Sequence, residues 1–354
     1  MKIGLVGLPG AGKTTLFQLL TGVEAAAYSS GLEGTVGTAR VPDRRVDYLS
    51  QLYQPKKTVY AQIDLTDLPG LNVSEQQQKG KNPFLTAVRN VDALVAVGRV
   101  FQEGPPHLLG EIDPRRDLEI IHSELLFSDW EIIEKRLERL EIKKKKENEA
   151  ERDLLQRCRE ELENDGRLTN LTFTAAEEEL LRGFQFLTLK PLLVVLNLDE
   201  EGFKSGFSGK EEFLAELEAR GLPYLEVSAQ IEQEIAELPP DDRALFMDDL
   251  GIKEPGIDRL ARMVYQHLGL ISFFTVGEDE VKAWTIDAGT VAKKAAGKIH
   301  SDIERGFIRA EVAAYDALRE HGSMAKLREK GLLRLEGKDY VVQDGDIITF
   351  RFNV

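Results

Sequence analysis

At 354 residues the chain is too long for one simple module and suits two or three domains. Its 61 acidic and 46 basic side chains leave a formal net charge of -15, and an apolar fraction of 42% excludes a disordered acidic chain. A single cysteine, Cys158, excludes an intrachain disulfide framework and any multi-cysteine metal centre, which suits a reducing cytoplasm.

Residues 2–6, KIGLV, read as a short buried strand, followed by a glycine-rich turn and a helix from Lys13 to about Leu20. Strands are next expected at 59–66, ending at Asp67-Leu68-Pro69-Gly70, and at 93–97, 191–196 and 223–228. Apolar strands alternating with helical segments predict an α/β fold with a mainly parallel sheet covered on both faces. Between the third and fourth strands, residues 117–164 are polar and nearly free of Gly and Pro. Leu126, Trp130, Ile133, Leu137 and Leu140 step by 4, 3, 4 and 3, and Leu154, Cys158 and Leu162 repeat that stripe on the return. This spacing predicts an antiparallel helical arm, in the manner of a coiled coil, inserted at about 117–188 and closing with a helix over 175–187. The Lys143–Lys146 run falls near its tip, either as a solvated helix surface or as a contact to nucleic acid or a partner.

The stretch Pro239–Asp249 reads as a surface connection outside any core. Residues 275–354 form a separate unit with strands at FFTVG, VKAWTI and DIITFRF and a helix at TVAKKAAGKIH, a small α+β or β-grasp-like module. Its 13 basic and 14 acidic residues give -1, so -14 falls on residues 1–274. No apolar run reaches the roughly 18 residues of a membrane span, so no membrane partner is expected.

Gly7-Leu8-Pro9-Gly10-Ala11-Gly12-Lys13-Thr14-Thr15 matches GxxxxGK[ST] between a strand and a helix, the context in which the pattern means a phosphate loop. Its glycines let the backbone aim N–H groups at phosphate oxygens, Lys13 reaches the terminal phosphates, and Thr14 offers a hydroxyl to Mg²⁺. Asp67 is placed to hold the Mg²⁺ shell, and Gly70 to turn its N–H toward the γ-phosphate. After the late strand, Asn197-Leu198-Asp199-Glu200 departs from the Asn-Lys-x-Asp expected of a GTP site. Leu198 replaces the lysine and Glu200 the aspartate, which argues for ATP; Asp199 is an alternative carboxylate, so dual ATP/GTP specificity stays open. Ser228-Ala229 occupies the place of the loop that backs the base.

The order GLPGAGKTT, DLPG, NLDE and VSA, with the helical insertion, resembles the Obg-like ATPases, the YchF family of translation-factor-class P-loop proteins. GFIRAEV at 306–312 and LRLEGKDYVVQDGDIITFRFNV at 333–354 are similar to that family's C-terminal TGS domain, a β-grasp fold. The resemblance implies a P-loop nucleotide-binding domain over 1–274, a TGS domain over 275–354, slow Mg²⁺-dependent hydrolysis of ATP with GTP as a possible second substrate, and association with the ribosome or ribosomal RNA. It also implies that His107, in PPHLLGEIDPRRDLEII, assists the attacking water; by itself His107 reads as a surface or structural residue. Gly10 and Ala11 stand where the family usually has Asn and Val, and Gly31 stands where a switch threonine would ligate Mg²⁺, with Ser29, Ser30 or Thr35 as substitutes. Leu71 supplies no glutamine to orient water. The leading expectation is therefore an ATPase slow without a partner. The alternatives are a nucleotide-dependent binding switch with negligible intrinsic hydrolysis, a strict GTPase opposed by Leu198 and Glu200, and a small-molecule kinase, for which no acceptor pocket is visible. Arg305, Arg309, Lys326, Arg328 and Lys330 are candidates for a ribosomal contact, and the oligomeric state is left open.

Overall fold

Short runs of leucine and β-branched residues that cannot sit half in water become the central strands of a parallel sheet. In the computed structural model, which describes residues 1–23, 34–71, 83–143 and 149–353, these are β1 (Lys2–Val6), β4 (Gln62–Asp67), β5 (Ala93–Arg99), β6 (Leu192–Asn197) and β7 (Tyr224–Val227), with β2 (Thr35–Arg40) and β3 (Lys57–Val59) between the first two. One six-stranded sheet has the order β2-β4-β1-β5-β6-β7. The pairs β1–β4, β1–β5, β5–β6 and β6–β7 are parallel. Every residue of β5 and β6 is buried, as strands covered on both faces must be. Parallel pairing puts the carboxyl ends of these strands, and the loops after them, along one edge, where α/β sheets bind ligands.

The insertion is a helical hairpin of Pro114–Lys143 and Glu149–Glu163, closed by a helix over Ala175–Arg182 that stops short of the expected 187. The stripe read from the sequence is its core: Leu126, Ile133, Leu137, Leu140, Leu154, Cys158 and Leu162 bury together with Leu155, Leu168 and Phe186. Ion pairs Arg136–Glu151 and Arg159–Glu134 lace the two helices in antiparallel register. Burial raises the Cys158 thiol to about 11, so it is a packing residue and no nucleophile at neutral pH.

The chain packs as two units, one of Met1–Thr38 with Asp64–Ile257 and the other of Ala39–Ile63 with Asp258–Val354. The second contains a six-stranded sheet of order β11-β10-β12-β8-β9-β3, with β8 (Leu270–Thr275), β9 (Glu280–Asp287), β10 (Phe307–Ala314), β11 (Arg334–Glu336) and β12 (Asp346–Phe352). The helix Ala292–Ile299 lays Ala292 and Ala295 on Phe273, Ile286, Val312 and Ile348. The expected surface connection at 239–249 is a helix, Pro240–Asp249, and none of its residues is buried. Ser29, Ser30, Gly31, the stretch 72–82 and lysines 144–146 lie outside the described residues. Among the described residues no helix is long and apolar enough to cross a membrane.

Candidate nucleotide site

The loop between β1 and the helix Lys13–Thr21 needs two residues in the left-handed region: Gly10 at φ 80° and Gly12 at φ 90°. Gly12 is doubly constrained, because a Cβ there would stand 2.2 Å from the Asn197 Nδ2. The helix that opens at Lys13 has Gly12 at its N-cap, a residue with no side chain to cap it. Lys13 is folded back into the loop, its Nζ donating to the Gly7 and Leu8 carbonyls at 3.1 and 3.3 Å. Burial lowers this ammonium to about 8, and Asp67 resists the shift.

Asp67, the last residue of β4, accepts the Thr14 hydroxyl at 2.6 Å through Oδ2. Its other oxygen, Oδ1, is buried with no hydrogen-bond partner. Burial raises the Asp67 carboxyl, while Thr14 and Lys13 pull it back down. An orphaned carboxylate oxygen beside a hydroxyl is a hard oxygen pair that fits a Mg²⁺ ion completed by phosphate and water oxygens. Gly70 lies against the phosphate loop: a Cβ on it would be 3.4 Å from Pro9 and 3.5 Å from the Lys13 Nζ. Leu71 goes into the apolar core with Val6, Leu8 and Phe84 and is lost to solvent chemistry. Thr35 is buried at the start of β2.

Asn197, at the end of β6, spans two loops. Its Nδ2 donates to the Ala11 carbonyl at 3.1 Å, and its Oδ1 accepts the Ala229 N–H at 3.0 Å. It therefore braces the phosphate loop against the segment Ser228-Ala229, whose Ser228 hydroxyl caps the following helix through the Ile231 N–H. Leu198 is core, packed with Val100, Phe213 and Leu217. Asp199 caps the helix Glu200–Ser205: Oδ1 accepts the Gly202 N–H at 2.8 Å and Oδ2 the Gln102 N–H at 3.0 Å. Each of its oxygens accepts one backbone N–H, which fixes the carboxylate against the start of this helix and the loop after β5. Glu200 is exposed and paired with Lys204 at 2.6 Å.

His107 is buried, and both ring nitrogens are engaged. Nε2 lies 2.7 Å from the Asp117 Oδ2, and Nδ1 accepts the Leu109 N–H at 3.2 Å. Arg116 closes the other side of Asp117 at 2.9 Å. Its carboxylate partner comes from the first turn of the arm, ten residues on. A cleft of about 400 Å³ lined by Arg99, Gln102, Pro105, Pro106, His107 and Glu111 opens beside it.

Arg99, at the end of β5, was not singled out from the sequence. Its signal is a lone cation closing an apolar strand, ALVAVGR. It is 2% exposed and donates to four backbone carbonyls, of Phe101, Gln102, Glu103 and Pro105. Of the basic candidates in the second unit, Arg305 pairs with Asp302 and Arg328 with Glu311.

Two family models match the chain: the 50S ribosome-binding GTPases over residues 2–126, and the YchF GTPase C-terminal family, described as a protein of unknown function, over 270–353. The ribosome-binding ATPase YchF of Bacillus subtilis is 42% identical over 364 residues, covering 100% of both chains. That of Pasteurella multocida is 40% identical and that of Escherichia coli O157:H7 38%, each covering 100% of this chain and 99% of the relative. Among solved structures, the Schizosaccharomyces pombe YchF GTPase superposes with a TM-score of 0.86 at 28% identity, covering 99% of this chain and 97% of that one.

Proposed function

Because this chain belongs to the YchF family, we propose that it is a ribosome-binding ATPase whose phosphate loop works with Mg²⁺. One observation carries the reading of the site: the Thr14 hydroxyl on Asp67, with the second Asp67 oxygen left without a partner beside Lys13. Thr14 and Asp67 would hold the ion, which when bound supplies positive charge to the β- and γ-phosphate oxygens. Lys13 adds a second charge to the same oxygens as it leaves the Gly7 and Leu8 carbonyls, and the N–H groups of the loop from Pro9 to Thr15 cradle them. Catalysis of this kind is positioning and charge stabilisation, so these groups must be held rigidly. The Asn197 brace between Ala11 and Ala229 supplies that rigidity.

Adenine is the favoured base. Guanine presents two adjacent donors that call for a carboxylate free to face them; Asp199 is held by the Gly202 and Gln102 N–H groups, and Glu200 is paired with Lys204. GTP remains a weaker second substrate in this reading. The C-terminal unit is the family's TGS module, and the ribosome or its RNA is the partner.

His107 is the residue proposed to orient the attacking water. Its ring is held by Asp117 and the Leu109 N–H, which favours a second feature of the reading: turnover waits for that ring to be released and is slow until a partner does so. A panel of ATP and GTP with Mg²⁺, measuring binding and phosphate release with and without ribosomes, tests all of this. ATP should compete better than GTP, and ribosomes should accelerate release. His107→Ala should slow release by about tenfold or more while ATP affinity stays within about threefold. GTP binding at least about tenfold tighter than ATP overturns the base assignment, and unchanged release in His107→Ala removes His107 from the mechanism.

A further inference from the structure

Arg99 lies beside Gly10 of the phosphate loop and lines one cleft with His107, yet it is neither a proposed ligand of the phosphates or Mg²⁺ nor the group that orients water. The guanidinium is a planar cation with five N–H donors. Buried without a carboxylate on any of them, such a cation is expensive to keep unless carbonyl oxygens replace its lost water. Here the chain after β5 is wound around it: Nε donates to Phe101 O at 3.1 Å, Nη2 to Gln102 O at 3.4 Å and to Glu103 O at 3.0 Å, and Nη1 to Pro105 O at 2.9 Å. The Phe101 ring lies over the same cation, 4.5 Å from its carbon. Four of the five donors are thereby spent on one loop of five residues.

Nη1 faces the phosphate loop, since a Cβ on Gly10 would be only 3.3 Å from it and 3.9 Å from Pro105. The loop so gathered continues through Pro106 directly into His107, which is itself tied to Asp117. Arg99 and His107 line the same cleft. Asp117 is the carboxylate whose charge Arg99 feels, so the two fixed points of the His107 segment are electrostatically linked.

We propose that Arg99 is a positioning residue for ATP hydrolysis: it gathers the 101–105 backbone into a fixed coil beside Gly10 and so sets where His107 stands relative to the phosphates. The inference rests on the catalytic reading of His107. A lysine cannot reproduce it, because one ammonium does not span four carbonyls in a plane.

The test is a cycle of Arg99→Met, His107→Ala and the double variant in the full-length protein, with Arg99→Lys and Pro105→Gly alongside. Each is measured for ATP affinity and for kcat and KM of phosphate release. Arg99→Met should lower kcat by about tenfold or more with ATP affinity and KM within about threefold, and the double variant should be no slower than His107→Ala. Arg99→Lys should fall between wild type and Arg99→Met. Pro105→Gly loosens the same loop with Arg99 intact, so it should show the same loss in kcat even if Arg99→Met does not fold. Multiplicative losses in the double variant, or affinity falling in step with kcat, overturn the Arg99 proposal and leave His107 standing. Turnover within about twofold of wild type in both Arg99→Lys and Pro105→Gly overturns it as well. If His107→Ala is silent, the catalytic reading of His107 fails, and Arg99's action through it fails with it.

Discussion

Lys13 carries its charge in a place that disfavours charge until phosphate arrives. Below pH 8 the ammonium is protonated in folded and unfolded chains alike, and folding bears the full penalty of burying it. Between about 8 and the ordinary 10.5, the folded chain releases a proton that the unfolded chain keeps, so the apo protein gains stability as pH rises through that window. Phosphate oxygens restore the proton. ATP binding should therefore take up a proton above pH 8 and weaken by up to about tenfold per pH unit there. Calorimetry at pH 9 in two buffers of different ionisation heat reads this directly: identical apparent enthalpies would mean that Lys13 stays charged. Lys13→Met should abolish ATP binding while raising the melting temperature of the apo protein at pH 7.

At the scale of elements, the hairpin was legible because a stripe at 3.6-residue spacing is written in the sequence itself. The way the chain leaves it was not legible. Asp129 sits on the first hairpin helix, fully buried, and accepts the Leu187 and Thr188 N–H groups and the Thr188 hydroxyl. Burial raises its carboxyl and those three donors oppose the shift. The carboxylate thus ties the return segment to the arm just before β6. Asp129→Ala leaves two backbone donors unpaired and should destabilise the first unit by about 2–4 kcal/mol. Protease cutting near 165–190 should rise while ATP affinity stays near wild type, because the loops after β1, β4 and β6 do not touch this carboxylate. Undiminished protection against cutting would show that the tie carries no stability. Strand β2 was overlooked for a related reason: its inward residues are Thr35, Gly37 and Ala39, while Val36 faces out, 57% exposed. A strand whose apolar side chain points to water has no hydrophobic alternation to read.

At the scale of the whole molecule, a net charge of -15 disfavours indiscriminate binding to polyanions. Recognition of a ribosome by such a chain has to be local. The protein should co-sediment with ribosomes at physiological salt yet bind generic double-stranded RNA too weakly to measure under the same conditions. Equal affinity for both would mean that backbone phosphate alone is recognised.

The phosphate loop, the Asp67-Leu68-Pro69-Gly70 turn, the parallel core strands and the hairpin stripe were determined by sequence alone. Each is a local pattern: glycine where φ must be positive, a basic residue at a helix start, apolar side chains at a fixed period. The tertiary structure decided which atoms were spent and which were left. It set Asn197 between two loops, turned Asp199 into a cap, gave His107 its Asp117, wound the 101–105 loop around Arg99, and joined Lys57–Val59 to β9 in the second unit's sheet. Those outcomes depend on groups distant in sequence satisfying one another's buried donors and acceptors, and no local spacing records that.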